Sequence, residues 1–453
     1  NFTDMTLQNR ISIFNKINIE RKSNKVFTIA SRYVYEDRWG GEMNWEREFR
    51  GGNQIYGESI YTNRWETFGT YELPTRENLS FQFSANGHYQ DSFYGETSYD
   101  AEQLIGFGQL VYNKQLGEKH DLLLGAAYRY TFYDDNTFAT LNENGVENNP
   151  SIIHLPGVFA QDEISLTDRK KILLGVRWDH NSMHGNIFSP RVNYKWNSKD
   201  KSNIIRLSVG NGFRVANIFT EDHAALTGAR TVEFDGELDP ETSWNVNLNY
   251  VKKINTENSF ITIDASAFYT YFNNRILPDY ETDPNKIIYA NLEGFSVSQG
   301  ISLNADFLFT NGLAINAGAT LMEVSVTEND IKRTQLLTES FSGVWSISYK
   351  FNNDYTIDYT GNLYGPMRLP LLGANDPRDE YSPWFSIQNI QLSKKFNNSW
   401  EVYSGVKNLL NFTPAANSIN SPDMPFSDAF DPSYVYASNQ GIRAFAGVRF
   451  TLF

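Results

Sequence analysis

The chain has 453 residues, no cysteine and a formal net charge of −14, from 39 Lys and Arg against 53 Asp and Glu. The missing cysteines exclude disulfides, thiol catalysis and thiolate metal sites, and the acidic balance argues against a nucleic-acid partner, since affinity for a phosphate backbone comes mainly from clustered Lys and Arg. Mean hydropathy is −0.47, and no apolar run approaches the ~18 residues of a membrane-spanning helix.

Alternation of apolar and polar residues, the mark of a strand with a different solvent on each face, predicts strands in chain order at 6–20, 25–38, 60–73, 78–92, 99–115, 120–134 and 152–166. They continue at 170–181, 187–197, 202–213, 243–254, 259–273, 295–310 and 312–327, and then at 336–351, 354–364, 382–396, 399–410 and 440–453, nineteen in all. Trp244, Val246, Leu248 and Tyr250 alternate with Asn245, Asn247 and Asn249, and Ile301, Leu303, Ala305 and Phe307 alternate with Ser302, Asn304 and Asp306. In the last strand Ile442, Ala444, Ala446, Val448, Phe450 and Leu452 share one face, while Phe445 interrupts the Arg443, Gly447 and Arg449 face. A soluble sandwich or propeller also alternates, but with strands of about 5–6 residues; these match the roughly 9–11 residues that a tilted strand needs to cross a bilayer. Aromatics at 15% of the chain suit girdles at both interfaces.

The connections alternate between tight and long. Turn formers fill the tight ones, as at Glu20 to Asn24, Asn255 to Asn258, Thr310 to Asn311 and Asn352 to Asn353. The longer ones include 39–59, 135–151, 214–242, 274–294, 365–381 and 411–439. Short turns on one side and long loops on the other are what a bacterial outer membrane imposes, with the turns at the periplasm. The fold class expected is therefore all-β, a transmembrane antiparallel β-barrel. A one-chain barrel of this kind has an even number of strands, so the full protein is expected to have 22, with about 19 here and three upstream. A closed 19-stranded barrel of the mitochondrial channel type is the alternative that an odd count permits.

The runs Tyr381 to Phe396 and Trp400 to Phe412, the second ending Asn408-Leu-Leu-Asn411, resemble the penultimate strand pair of TonB-dependent outer-membrane receptors. Phe188-Ser-Pro-Arg-Val-Asn-Tyr194 and Gly210-Asn-Gly-Phe-Arg-Val-Ala-Asn217 resemble mid-barrel segments of the same family, with Val215-Ala216 departing from its usual proline. The overall flavour is similar to receptors of Bacteroidetes. The resemblance covers essentially all of 1–453 and implies the C-terminal bulk of a barrel, with an N-terminal plug and the first strands outside this chain. It also implies the outer membrane of a Gram-negative bacterium, a cargo caught by external loops, and partnership with TonB and its inner-membrane motor. Outer-membrane lipid and a surface lipoprotein are further partners on this reading. A passive porin and, more remotely, a barrel enzyme are the other function classes; porins usually have 16–18 strands, and no G-x-S-x-G, H-E-x-x-H or P-loop motif occurs.

For cargo chemistry, His180, Met183 and His184 place two imidazoles and a thioether within five residues, a donor set for Cu, Zn or Fe. A polar loop at headgroup level explains the same residues. His223, beside Arg214 and Arg230 in the 214–242 loop, is a second cluster for a metal chelate or for hydrogen bonds between loops. Arg368 and Arg378 with Asp376, Asp379 and Glu380 are a third, and Tyr364, Trp384 and the Tyr434–Tyr436 pair could stack on a flat cargo. No cofactor is assigned; a metal ion or metal chelate is a candidate cargo. Iron-siderophore, haem, cobalamin, metal-chelate and oligosaccharide cargoes are not separated by the sequence.

Overall fold

The computed structural model describes residues 2–3, 5–142, 145–215, 230–236, 238–280, 282–283, 286–373, 376–396, 399–427 and 429–452. Ten long strands come first: β1 (Leu7–Arg21), β2 (Lys25–Gly41), β3 (Gly57–Glu72), β4 (Asn78–Tyr94), β5 (Thr97–Leu116), β6 (His120–Asp135), β7 (Ser151–Thr167), β8 (Lys170–Asn181), β9 (Gly185–Asn197) and β10 (Asn203–Arg214). Then follow β11 (Thr231–Asp235), β12 (Glu241–Asn255), β13 (Ser259–Asn274), β14 (Ile276–Asp279), β15 (Lys286–Asn291), β16 (Gly294–Phe309) and β17 (Leu313–Glu328). The chain ends with β18 (Ile331–Thr334), β19 (Phe341–Lys350), β20 (Tyr355–Tyr364), β21 (Phe385–Lys395), β22 (Trp400–Lys407) and β23 (Arg443–Phe450).

Twenty strands form one sheet in which each wall strand pairs antiparallel with its neighbour in sequence, and β11, β15 and β14 form a separate small sheet. Setting aside the four-residue β18, nineteen strands run the wall, each on one of the nineteen predicted segments. The register carries one apolar face from strand to strand: Leu207 opposes Leu248, Leu248 opposes Ala267, Ala267 opposes Ile301, and Ile301 opposes Leu321. Ile301 and Leu321 are each 62% exposed, which is the lipid side of such a wall. The opposite face is a polar ladder. Arg206 Nη1 donates to Asn249 Oδ1 at 2.9 Å, Asn249 Nδ2 to Ser266 Oγ at 2.9 Å, and Thr320 Oγ1 to Ser302 Oγ at 3.1 Å.

The connections alternate as expected, with two exceptions. On the long-loop side β4 and β5 are joined by Gly95-Glu96 alone, and β8 and β9 by 182–184. Gly95 makes its turn at φ +60, a conformation that costs glycine little. The predicted strands at 336–351 and 399–410 are shorter in the structure because the chain turns at positive φ, at Leu337 and at Asn408. Asn408 then stitches the last loop: its Nδ2 donates to Phe412 O at 2.7 Å and Gln440 O at 2.9 Å, while its Oδ1 accepts from Phe412 N at 3.0 Å. Phe445, the interruption in the polar face, lies over Gly405, where a Cβ would sit 2.6 Å from its ring, so the glycine supplies a hollow for it. Among the described residues no ladder joins β1 to β23.

Candidate functional site

The long-loop side of the wall gathers the polar chemistry. There Ile276, Ile287 and Tyr289 of the small sheet bury themselves against Ile60, Tyr94 and Tyr99 at the wall ends. A second buried cluster holds Met367, Leu369, Phe385 and Tyr434. A cavity of about 1110 Å³ borders the first cluster at Ile287, and Leu277, Ile287, Val326, Leu336, Pro370 and Val435 form much of its apolar wall.

Arg230 and Asp431 line the same cavity and belong to a buried charge network that joins three loops. Asp431 Oδ2 accepts from Arg378 Nη2 at 2.9 Å and lies 3.6 Å from Arg230 Nη2. Arg378 in turn donates to Asp376 through Nε at 3.0 Å and Nη2 at 2.7 Å, and its guanidinium lies 4.3 Å from the centre of the Tyr434 ring. The side chains of all four charged residues are at most 5% exposed. Burial opposes ionisation of Asp376, but the Arg378 guanidinium and the backbone amides of Leu372 and Arg378 outweigh it and hold that carboxyl down at about 2. Burial likewise opposes the charge on Arg378, and the two carboxylates overcome it. Burial pushes the Tyr434 phenol up to about 12, against the pull of Arg378.

The residues singled out in the sequence divide between the two faces. Arg230 and Arg368 line the cavity; Arg368 Nε also donates to Glu380 Oε1 at 3.2 Å. Arg214, at the end of β10, pairs with the buried Glu241 at 2.6 Å, and Glu241 Oε1 accepts from Ile276 N at 3.0 Å, fixing the start of the small sheet. Tyr364 stacks on Phe385 with ring centres 4.9 Å apart, within the second apolar cluster. Trp384 points the other way, 56% exposed, with its ring 5.5 Å from Phe341 on the apolar face.

His180 follows Trp178 on the face that carries Val158 and Phe188, and its Nδ1 lies 3.0 Å from Asn186 Oδ1. Met183 Sδ meets Ser151 Oγ at 3.7 Å, and the His184 amide donates to Asn181 Oδ1 at 3.2 Å in the short β8–β9 turn. Among the described residues no group of three or more His, Cys, Asp or Glu side chains is placed to hold a metal ion. His223 lies outside the described residues.

Sequence reasoning missed Asp431 and Arg275. Asp431 Oδ1 accepts from Ser433 N at 2.9 Å, so Asp431-Pro432-Ser433 reads locally as a turn, with nothing to name an arginine 53 residues away. Arg275, just beyond β13, donates Nη1 to Ser296 Oγ at 3.0 Å and Gln335 Oε1 at 2.8 Å. Burial pulls its pKa down, Glu241 resists and Arg214 adds to the pull.

A sequence model of the TonB dependent receptor-like β-barrel matches residues 7–409. The chain belongs to that family. Among curated proteins, the iron-regulated outer membrane virulence protein of Vibrio cholerae serotype O1 is 30% identical over 120 residues, 26% of this chain and 18% of that protein. Among solved structures, the siderophore receptor PirA of Acinetobacter baumannii superposes with a TM-score of 0.69 at 12% identity, over 98% of this TonB-dependent barrel and 71% of that chain. The FrpB iron transporter of Neisseria meningitidis gives 0.69 at 13% identity, over 98% and 72%. A ferric enterobactin receptor of Pseudomonas aeruginosa gives 0.62 at 14% identity, over 98% and 80%. These likenesses establish the fold.

Proposed function

We propose that this chain is the bulk of the barrel of a TonB-dependent outer-membrane transporter in a Gram-negative bacterium, taking up a scarce solute through a plugged lumen. The family match over residues 7–409 carries the reading, and the cavity at the long-loop side supplies a place for cargo to be caught before it crosses. The neighbouring receptors are named for siderophores and iron, which makes an iron chelate the first cargo to test. Among the described residues β1 pairs with β2 alone, which supports further strands beside it, because backbone groups left bare in lipid cost several kcal/mol each. An N-terminal plug and coupling to TonB are part of this proposal, and the family match supports them. Its members are receptors and transporters, and the chemistry assigned to this chain is capture and passage of cargo, without catalysis.

Uptake of radiolabelled ferric chelates by cells that carry the full-length protein tests this. Accumulation should require both the protein and an intact tonB gene. Uptake that continues undiminished without TonB would move the assignment to a passive porin.

A further inference from the structure

Among the described residues near the cavity, Arg230 is the charge with both terminal nitrogens unpartnered. Its side chain is 5% exposed, yet neither Nη1 nor Nη2 has a hydrogen-bond partner. The Asp431 oxygen 3.6 Å away lies beyond hydrogen-bond reach, and Arg378 already donates to it. Tyr280 covers one side, with its ring centre 5.0 Å from the guanidinium carbon. A guanidinium is always charged, only donates, and is costly to bury without acceptors. Arg230 lines the cavity, but both terminal nitrogens are themselves enclosed, so a ligand must part their cover to reach them; their natural complement is a planar or tetrahedral oxyanion bound through two oxygens.

The remainder of the cavity restricts what can carry that oxyanion. Among the described lining residues three arginines stand against six carboxylates, so a polyanion meets a net negative set of side chains. Tyr280 is the one aromatic side chain among the described lining residues, and aliphatic and proline side chains supply the other apolar surface. Among these residues flat aromatic bodies find little to stack on beyond Tyr280.

We propose that Arg230 anchors the single carboxylate or phosphate of a cargo whose body is aliphatic and otherwise neutral or cationic. The proposal rests on the transport reading and narrows its cargo. Asp431 stays with Arg378 when the ligand binds, so the loops remain joined while Arg230 gains its acceptors.

The test uses the full-length receptor in lipid nanodiscs and titration calorimetry with four probes: tri-leucine with a free carboxylate, its C-terminal amide, hexyl phosphate and a ferric tris-catecholate. The carboxylate should bind ~10- to 100-fold tighter than the amide, the range a charge-assisted pair supplies. Arg230→Gln should erase that preference while Arg230→Lys keeps part of it, and hydrogen exchange of the wall strands equal to the parent protein's certifies the fold of each. Tighter binding of hexyl phosphate than of the carboxylate would assign phosphate as the source of the oxyanion and uphold the anchor. Equal binding of acid and amide, no binding of either oxyanion probe at millimolar concentration, or tightest binding by the tris-catecholate would overturn it. Because TonB-dependent uptake is measured separately, a failed anchor leaves the transport reading intact.

Discussion

Asp431 is worth more to its loops than its own contacts indicate, because it is the carboxylate that Arg230 and Arg378 share. Removing one partner of a buried ion pair strands the others at a cost of about 3–5 kcal/mol. Asp431→Asn keeps the shape and deletes the charge, so backbone amides in the 365–384 and 408–442 loops should exchange hydrogen roughly 100-fold faster or more, with the wall strands unchanged. Exchange mass spectrometry reads this directly; loop protection equal to the parent protein would show that the network holds nothing together. The same network sets an acid limit. The Asp376 carboxyl is held at about 2 against an ordinary 3.8, so its contribution is complete above about pH 4 and lost as pH falls through 2. Exchange in the 365–384 loop, corrected for the intrinsic rate at each pH, should accelerate between about pH 4 and 2.

Within an element, the two faces of a strand make opposite demands on neighbouring residues. Leu303 on β16 opposes Ala265 and Ala319 on the apolar face, and Asn304 next to it opposes Asp264 and Gly318 on the polar one. Leu303→Arg should cost about 2–4 kcal/mol in urea unfolding from lipid vesicles, and Asn304→Arg about 1 or less. Equal costs at the two positions would contradict the assignment of faces. That assignment was legible in the sequence because each wall strand meets its two solvents locally, residue by residue. The four short strands of the loops were not. β11 and β15 pair across more than fifty residues of chain, and strands of four to six residues carry too few alternations to declare a period. Asn408-Leu-Leu-Asn411 was visible as the end of a strand, but its task of holding Phe412 and Gln440 depends on where the long loop returns. The site was legible in part: Arg230, Arg368 and Arg378 stood out as charged loop residues, whereas Asp431, which holds Arg230 and Arg378, looked like an ordinary turn.

At the scale of the molecule, the number of staves fixes how the wall can close. Nineteen antiparallel neighbours leave β1 and β23 running in the same direction, so these strands alone could join only through a parallel pair, unlike every other contact in the wall. An odd number of further strands restores antiparallel pairing on both sides of the gap, and three bring the ring to 22. The alternate amides of β1 that face away from β2 decide between these possibilities. In the intact protein in lipid they should exchange as slowly as those that face β2, because a hydrogen-bonded neighbour covers them; a bare edge at membrane depth would cost several kcal/mol for each open group. Residue-resolved exchange across Leu7–Arg21 supplies the measurement. Two classes of amide in alternation, one protected and one fast, would mean that no strand stands beside β1 and that the wall is held open by other means.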